Sequence, residues 1–230
     1  MKQYFLGIEF GSTRIKAVLL DEKHAIVKSG DYTWKSSLEN GVWTYHMEDV
    51  QEGLRTAIRN LGKLPGKISA MGVSGMMHGY LAFDKDWNLL APFRTWQNTM
   101  TGEAADKLTE AFGFNIPQRW SAAHLYQAVL NGEPHVKNIA HVTTLAGYVH
   151  YLLTGENVLG VGEASGMFPI DSETLTYDAA MLDKFDALMA KYGFDWNIRA
   201  VLPEVRTAGQ SAGLLTPSGS EYLGGLLPAG

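Results

Sequence analysis

Apolar positions along the chain fall into blocks of changing period. Tyr4 to Glu9 and Arg14 to Leu20 are dense in strand-favouring residues, and the short Gly-containing link between them reads as a hairpin turn. Asp21-Glu22-Lys23 is a polar turn, Ala25-Ile26-Val27 starts a third strand, and Gly41 to Tyr45 is a loop or short strand. The period then lengthens: Val50, Leu54, Ile58 and Leu61 recur at helical spacing, with Glu48 and Asp49 suited to the first turn. Ile68 to Val73 is a buried strand ending at Ser74-Gly75. Leu81-Ala82-Phe83 and Leu89-Leu90 flank the turn Asp84-Lys85-Asp86 as a second hairpin. Helices are predicted over Thr101–Phe112 (Ala104, Ala105, Leu108 and Phe112 on one face), Ala122–Leu130, Leu145–Thr154 with Gly155 as its stop, and Tyr177–Tyr192 with Met181, Leu182, Phe185 and Leu188 inward. The tail from Thr216 to Gly230 is rich in Gly, Ser, Leu and Pro. No internal repeat or low-complexity segment interrupts the pattern.

Three strands, a helix and a strand in that order predict an α/β protein with a mixed sheet flanked by helices. With 230 residues, 46% apolar and 19% charged, the chain can bury a sizeable core. A net charge of −5 without a Lys/Arg cluster argues against nucleic acid or an anionic membrane as partner. The absence of cysteine excludes disulfides and thiolate metal sites, and the 7 histidines show no zinc-type spacing. Met1 to Phe5 run straight into a strand pattern without a signal-peptide core, and no apolar run reaches spanning length, so a cytoplasmic protein is expected.

Candidate chemistry begins at Gly7-Ile8-Glu9-Phe10-Gly11-Ser12-Thr13-Arg14-Ile15-Lys16. Gly11 permits close backbone approach to an anion and unusual dihedrals, Ser12 and Thr13 add hydroxyls, and successive N–H groups in such a turn form a concave anion site. Arg14 and Lys16 can add charge, and Glu9 is a hard oxygen ligand of the kind Mg²⁺ uses, directly or through water. An ordinary hairpin with a Gly turn would show the same local pattern. His78, between Met77 and Gly79 just after a buried strand, belongs at a cleft edge, where either ring nitrogen can bond a ligand hydroxyl. Trp96 suits stacking on an apolar ligand face or filling a core, Gln97 and Asn98 both donate and accept, and Glu163 suits a hydroxyl or a helix cap. Met76 and Met77 read as packing residues.

The whole chain resembles the N-terminal domain of the FGGY carbohydrate kinases, in their xylulokinase-like branch. The segment Gly7 to Thr13 is similar to the family's first phosphate motif, and Gly72-Val73-Ser74-Gly75-Met76-Met77-His78-Gly79 to its Met-His-Gly substrate loop. Thr95-Trp96-Gln97-Asn98 is similar to a Trp-Asn-Asp segment, and Ser121-Ala122-Ala123-His124-Leu125 to a Thr-Ala-Pro-Lys-Leu-like stretch. Leu153-Thr154-Gly155 and Glu163-Ala164-Ser165-Gly166-Met167-Phe168 resemble its last two signatures. The resemblance implies a ribonuclease H-like, actin-like ATPase fold and transfer of the γ-phosphoryl of ATP, with Mg²⁺, to a hydroxyl of a sugar, a ketopentose such as xylulose first. It places Glu9 (metal, through water), Gly11, Ser12, Thr13, Arg14 and Lys16 at phosphate and Mg²⁺, and Met77, His78, Gly79, Trp96, Gln97, Asn98 and Glu163 at substrate. Glu9 stands for the usual Asp, Gln97-Asn98 for Asn-Asp, and His124 for a Lys-like residue, which marks a divergent subgroup with changes around the sugar cleft. The catalytic Asp of a Gly-Gly-Asp-like motif is expected beyond Gly230, together with the nucleotide-binding C-terminal lobe. Residues 1–230 would then be one sugar-cleft domain, inactive alone, of a kinase about twice as long. An apolar face left for that lobe suggests a homodimer. Two rival readings remain open: another actin-fold ATPase, or a non-catalytic sugar-binding or regulatory module.

Overall fold

The computed structural model describes residues 2–230. Strands β1 (Gln3–Phe10), β2 (Arg14–Leu20) and β3 (Ile26–Thr33) form an antiparallel meander. A small hairpin of β4 (Ser37–Glu39) and β5 (Val42–Thr44) leads into α1 (Met47–Arg59), and β6 (Lys67–Gly75) returns parallel to β1. The resulting 4-stranded sheet has the order β3-β2-β1-β6. Two-residue alternation sorts its faces: Tyr4, Leu6, Ile8 and Phe10 of β1 and Ile15, Ala17 and Leu19 of β2 are buried, while Gly7, Glu9 and Lys16 are exposed. On the buried face α1 lays down Val50, Leu54, Ala57 and Ile58, the stripe expected from its period. The free edge of β6 lines a groove of about 970 Å³ with Leu153, Leu215 and Leu227.

The later elements supply a second buried cluster and also extend the first, which takes Leu81, Phe83, Leu145, Val149, Leu153 and Leu223. These elements are β7 (Leu81–Phe83), α2 (Gly102–Phe112), α3 (Ser121–Leu130), β8 (His141–Thr143), α4 (Leu145–Thr154), β9 (Val158–Gly160), α5 (Val161–Ala164), α6 (Ala179–Met189), α7 (Ile198–Val201), β10 (Glu204–Arg206) and α8 (Pro217–Tyr222). Leu108, Phe112, Tyr126, Phe168 and Phe185 form the centre of the second cluster, with Phe168 and Phe185 meeting edge to face. Among the described residues no helix is long and apolar enough to cross a membrane.

Four expectations change. The strand expected to be buried over Ile68 to Val73 is the edge strand β6, whose residues are all half-buried or exposed. Leu89-Leu90 returns along Leu81–Phe83 as the expected hairpin, through a Phe83–Leu89 bridge and a Leu90 N–H to Ala82 O bond at 2.9 Å, but the regular strand partner of Leu81–Phe83 is the distant β8. The third strand runs on to Thr33, where polar residues pair with β2 at the sheet edge. The helix expected over Tyr177–Tyr192 starts only after Asp178, whose carboxylate accepts the Met181 N–H at 2.9 Å, and tightens into a 3₁₀ turn over Ala190–Tyr192. The tail folds back on the sheet layer: Leu223 and Leu227 are buried, and Arg55 Nε donates to the Tyr222 carbonyl at 2.7 Å.

Candidate functional site

Parallel pairing of β1 with β6 sets the two candidate loops side by side. Glu9 pairs with Ser74 and Phe10 with Gly75 at the carboxyl ends of the strands, and the Met76 N–H donates to the Phe10 carbonyl at 2.8 Å. Ligands of open α/β sheets gather at such strand ends.

The phosphate-type loop is held from behind. Trp34 Nε1 donates to the Gly11 carbonyl at 2.7 Å, Tyr45 Oη to the Ser12 carbonyl at 2.7 Å, and the Trp34 N–H to the Thr13 carbonyl at 3.2 Å. The Gly11 N–H closes the turn onto Arg14 O at 2.9 Å. The N–H groups and hydroxyls of the exposed Ser12 and Thr13 find no partner among the described residues. A loop whose acceptors are occupied and whose donors are free is a site for an anion. Gly11 needs no positive φ, contrary to expectation; it is needed for room, since a Cβ there would lie 3.1 Å from Arg14 O and 4.0 Å from Glu9 Oε1.

Glu9 and Lys16 face each other across β1 and β2 on the exposed sheet face, in a shallow concavity of about 410 Å³ shared with Gly72 and Ser74. Glu9 makes no ion pair among the described residues, so its carboxylate is free for a cation. Among the described residues no group of three or more His, Cys, Asp or Glu side chains could hold a metal ion, and Glu9 is the carboxylate of this concavity. Arg14 turns to Asp31, at 3.2 Å on the surface.

The second loop is built and partly buried. His78 and Gly79 have φ of 73° and 88°. The Gly79 N–H donates to Arg119 O at 3.0 Å, and Ser121 Oγ donates to Gly79 O at 2.6 Å. His78 Nδ1 lies 3.0 Å from the Gly166 carbonyl, which brings the loop after α5 against the Met-His-Gly segment. Burial holds the His78 pKa below its ordinary value against the hydrogen bond to Gly166. Met77 reaches the same place, its methyl 2.9 Å from where a Gly166 Cβ would stand.

The segment at 94–98 divides. Trp96 is 43% exposed and open to a ligand face. Gln97 is half-buried with an unpartnered Oε1, a group that wants a donor. Asn98 is only 3% exposed, and its amide is spent on the backbone: it accepts the Trp43 N–H at 2.9 Å and donates to Trp43 O at 2.8 Å and Thr95 O at 3.0 Å. That geometry braces the loop instead of meeting a ligand. Glu163, in the short α5, is half-buried with one oxygen unpartnered, and burial raises its pKa, with the Thr144 hydroxyl pulling the other way. His124, expected near the cleft, is wholly buried in α3 and stacks on Tyr80.

Several contributors escape a reading of the sequence. Trp34 and Tyr45 brace the phosphate loop from 33 or fewer residues away, and only their aromatic type hints at it. The Gly166 carbonyl and the buried Arg94–Glu133 pair, with Arg94 also over the Tyr80 ring, are equally non-local.

Comparison with known proteins follows this geometry. The model of the FGGY family of carbohydrate kinases, N-terminal domain, matches residues 4–228. A glycerol kinase of Thermococcus gammatolerans is 25% identical over 99% of this chain and 47% of its own length. The solved xylulose kinase of Rhodospirillum rubrum superposes with a TM-score of 0.81 at 21% identity, over 99% of this chain and 48% of its own. The gluconate kinase of Lactobacillus acidophilus gives 0.81 at 20%, over 97% and 46%. The chain thus spans about half the length of the curated relatives it matches. The mixed sheet is that of the actin-like ATPase fold, and the chain belongs to the FGGY family of carbohydrate kinases through their N-terminal domain.

Proposed function

We propose that this chain supplies the phosphate loop and the sugar-contacting wall of an ATP-dependent carbohydrate kinase. The supporting observation is the adjacency of a loop with free backbone donors, Ser12 and Thr13, and a polar wall at His78, on neighbouring parallel strands. Phosphoryl transfer passes through a loose transition state, so positioning and charge stabilisation do most of the work. In this reading Ser12 and Thr13 bind phosphate oxygens, Lys16 adds charge across from Glu9, and Glu9 orients Mg²⁺ through water. The bound Mg²⁺ would neutralise charge on the phosphates. Arg14 can leave Asp31 at little cost, because an exposed pair contributes about 0–1 kcal/mol. His78, Trp96, Gln97 and Glu163 meet the sugar, with Met77 and Gly79 shaping the wall. The substrate is a ketopentose such as xylulose, the acceptor named for one of the solved relatives. The adenosine is held by a second lobe, since the relatives are about twice as long.

Thermal unfolding of the protein with ketopentoses, glycerol, gluconate and deoxy-sugars, each with and without Mg·ATP, tests the reading, because a ligand of the folded state raises its stability. A shift with one ketopentose that disappears in His78→Ala supports it. Shifts with Mg·ATP and with none of the sugars would favour a general actin-fold ATPase; a shift confined to glycerol or gluconate would change the substrate.

A further inference from the structure

His78 is the wall residue whose hydrogen-bonding capacity can be counted atom by atom. Its φ of 73° lies in the left-handed region, which costs a non-glycine residue about 1–2 kcal/mol, so its neighbours must hold it. They do so on both sides: Met76 is tied to Phe10, and Gly79 to Arg119 and Ser121. The backbone therefore dictates where the imidazole goes, and it goes onto the loop after α5.

There Nδ1 lies 3.0 Å from the Gly166 carbonyl. A carbonyl oxygen only accepts, so the hydrogen sits on Nδ1. No other residue type fits at 166 without displacing the ring: a Cβ would stand 2.7 Å from Nδ1 and 3.0 Å from Cε1. Burial disfavours the imidazolium, the Arg119 charge acts in the same direction, and the bond to Gly166 opposes both. A neutral ring protonated at Nδ1 carries a lone pair at Nε2. Nε2 has no partner among the described residues and is not among the atoms sealed from solvent.

We propose that Gly166 is a positioning residue whose carbonyl fixes the tautomer of His78, so that Nε2 is an obligate acceptor and selects a hydroxyl of a neutral polyol. A hydroxyl can donate to Nε2; a ketone oxygen or an ionised carboxylate cannot. The hydroxyl selection rests on the sugar-kinase reading above, whereas the tautomer does not. It narrows the ligand: whatever sugar binds, the atom facing His78 is a hydroxyl, and a sugar acid that places its carboxylate there is rejected.

Long-range nitrogen–proton NMR of the histidine rings tests it on the protein as it stands. Without ligand, Nδ1 of His78 is expected to be the protonated nitrogen and Nε2 the bare one. Adding a ketopentose or glycerol should move the Nε2 resonance. Gly166→Ala should release the ring to the other tautomer or a mixture and weaken polyol binding about fivefold, the size of one lost hydrogen bond. Because that variant can also disturb folding, His78→Asn is the second probe. Asn tolerates the left-handed backbone and keeps a donor for Gly166, but it presents no acceptor where Nε2 stood. It should melt within a few degrees of the parent and lose the polyol response.

A ligand-free spectrum with Nε2 protonated overturns the proposal whatever binds. An undiminished polyol response in His78→Asn overturns the hydroxyl selection. Protonated Nδ1 with no response of Nε2 to any polyol leaves the Gly166 assignment standing and sinks the sugar-wall reading together with the selection.

Discussion

The two loops at the carboxyl end of the sheet are held in opposite ways. The proposed phosphate loop is braced through its carbonyls by Trp34 and Tyr45 and through the Gly11 N–H by Arg14, and keeps the donors of Ser12 and Thr13 free on the surface. The proposed substrate wall spends most of its polar groups internally: Asn98 on Trp43, His78 Nδ1 on Gly166, Ser121 on Gly79, Arg94 on Glu133. An anion needs only backbone donors and a positive field, so its site can be local and cheap to alter. A polyol must be told apart from its isomers by fixed donors and acceptors, and fixing them takes buried bonds. Substitutions in the wall should therefore cost fold stability, and substitutions in the phosphate loop should cost binding only.

The largest effect is expected at Arg94. It is 7% exposed, pairs with the partly buried Glu133 and lies over the Tyr80 ring at 5.3 Å. Arg94→Leu leaves the partly buried Glu133 carboxylate without its ion partner and with only the Asn131 amide donating to it, at a cost of about 2 kcal/mol in urea unfolding. The double variant with Glu133→Leu should recover part of that loss, since the uncompensated charge is gone. Equal stability of the single and double variants would show that the pair does not hold the wall.

Gly79→Ala comes next. A Cβ at a φ of 88° would stand 2.5 Å from the Arg94 carbonyl, inside the Tyr80–Arg94 bridge. A loss of about 2 kcal/mol is expected from the backbone strain, with sugar binding weakened as well. A variant as stable as the parent would mean that this turn yields easily, and the contrast between the loops would shrink.

His124 provides a pH test of how dry the wall's support is. Burial pushes its pKa down from 6.5 to about 3, with the Arg94 charge helping, and neither ring nitrogen has a partner. The unfolded chain takes up a proton near pH 6.5 and the folded one does not until about pH 3, so acid favours unfolding. Stability from this ring is complete above pH 6.5 and falls by about 1.4 kcal/mol per pH unit below it. His124→Phe, which keeps an aromatic ring on Tyr80, should flatten the curve by that slope between pH 6 and 5. Parallel curves would show the ring to be hydrated.

What the sequence disclosed divides along the same line. The first two strands and α1 are legible because their periods of two and 3.6 are local consequences of one buried face, and the turn at Gly11 to Thr13 because it lies within a few consecutive residues; the apolar run of β6 gives the strand but not its half-exposed place at the sheet edge. The pairing of Leu81–Phe83 with His141–Thr143 is not, because the local pattern discloses only the neighbouring return at Leu89-Leu90, and the second partner lies about 60 residues away. The motif at 95–98 gave residue types without their allocation: Trp96 stays exposed, while Asn98 is claimed by Trp43, a residue 55 positions away. His124 looked like a cleft residue by its place in a motif, and helix α3 turns it into the core. Allocation of a polar atom depends on what packs against it, and short spacing carries no record of that.

The smallest effect on stability is expected at Glu9, and it is the sharpest test of the contrast. Its side chain lies on the open sheet face opposite Lys16 and Ser74, with no ion pair among the described residues. Glu9→Gln should change unfolding by no more than about 0.5 kcal/mol, as exposed substitutions do. Thermal stabilisation by the sugar should be unchanged, and the magnesium-dependent part of stabilisation by ATP should be lost, because the amide keeps the shape but not the charge. That separation requires the two loops to be energetically independent despite sharing the β1–β6 edge. If Glu9→Gln also removed the sugar response, coupling would run through the Phe10–Met76 bond at the strand ends, and the site would have to be treated as one unit.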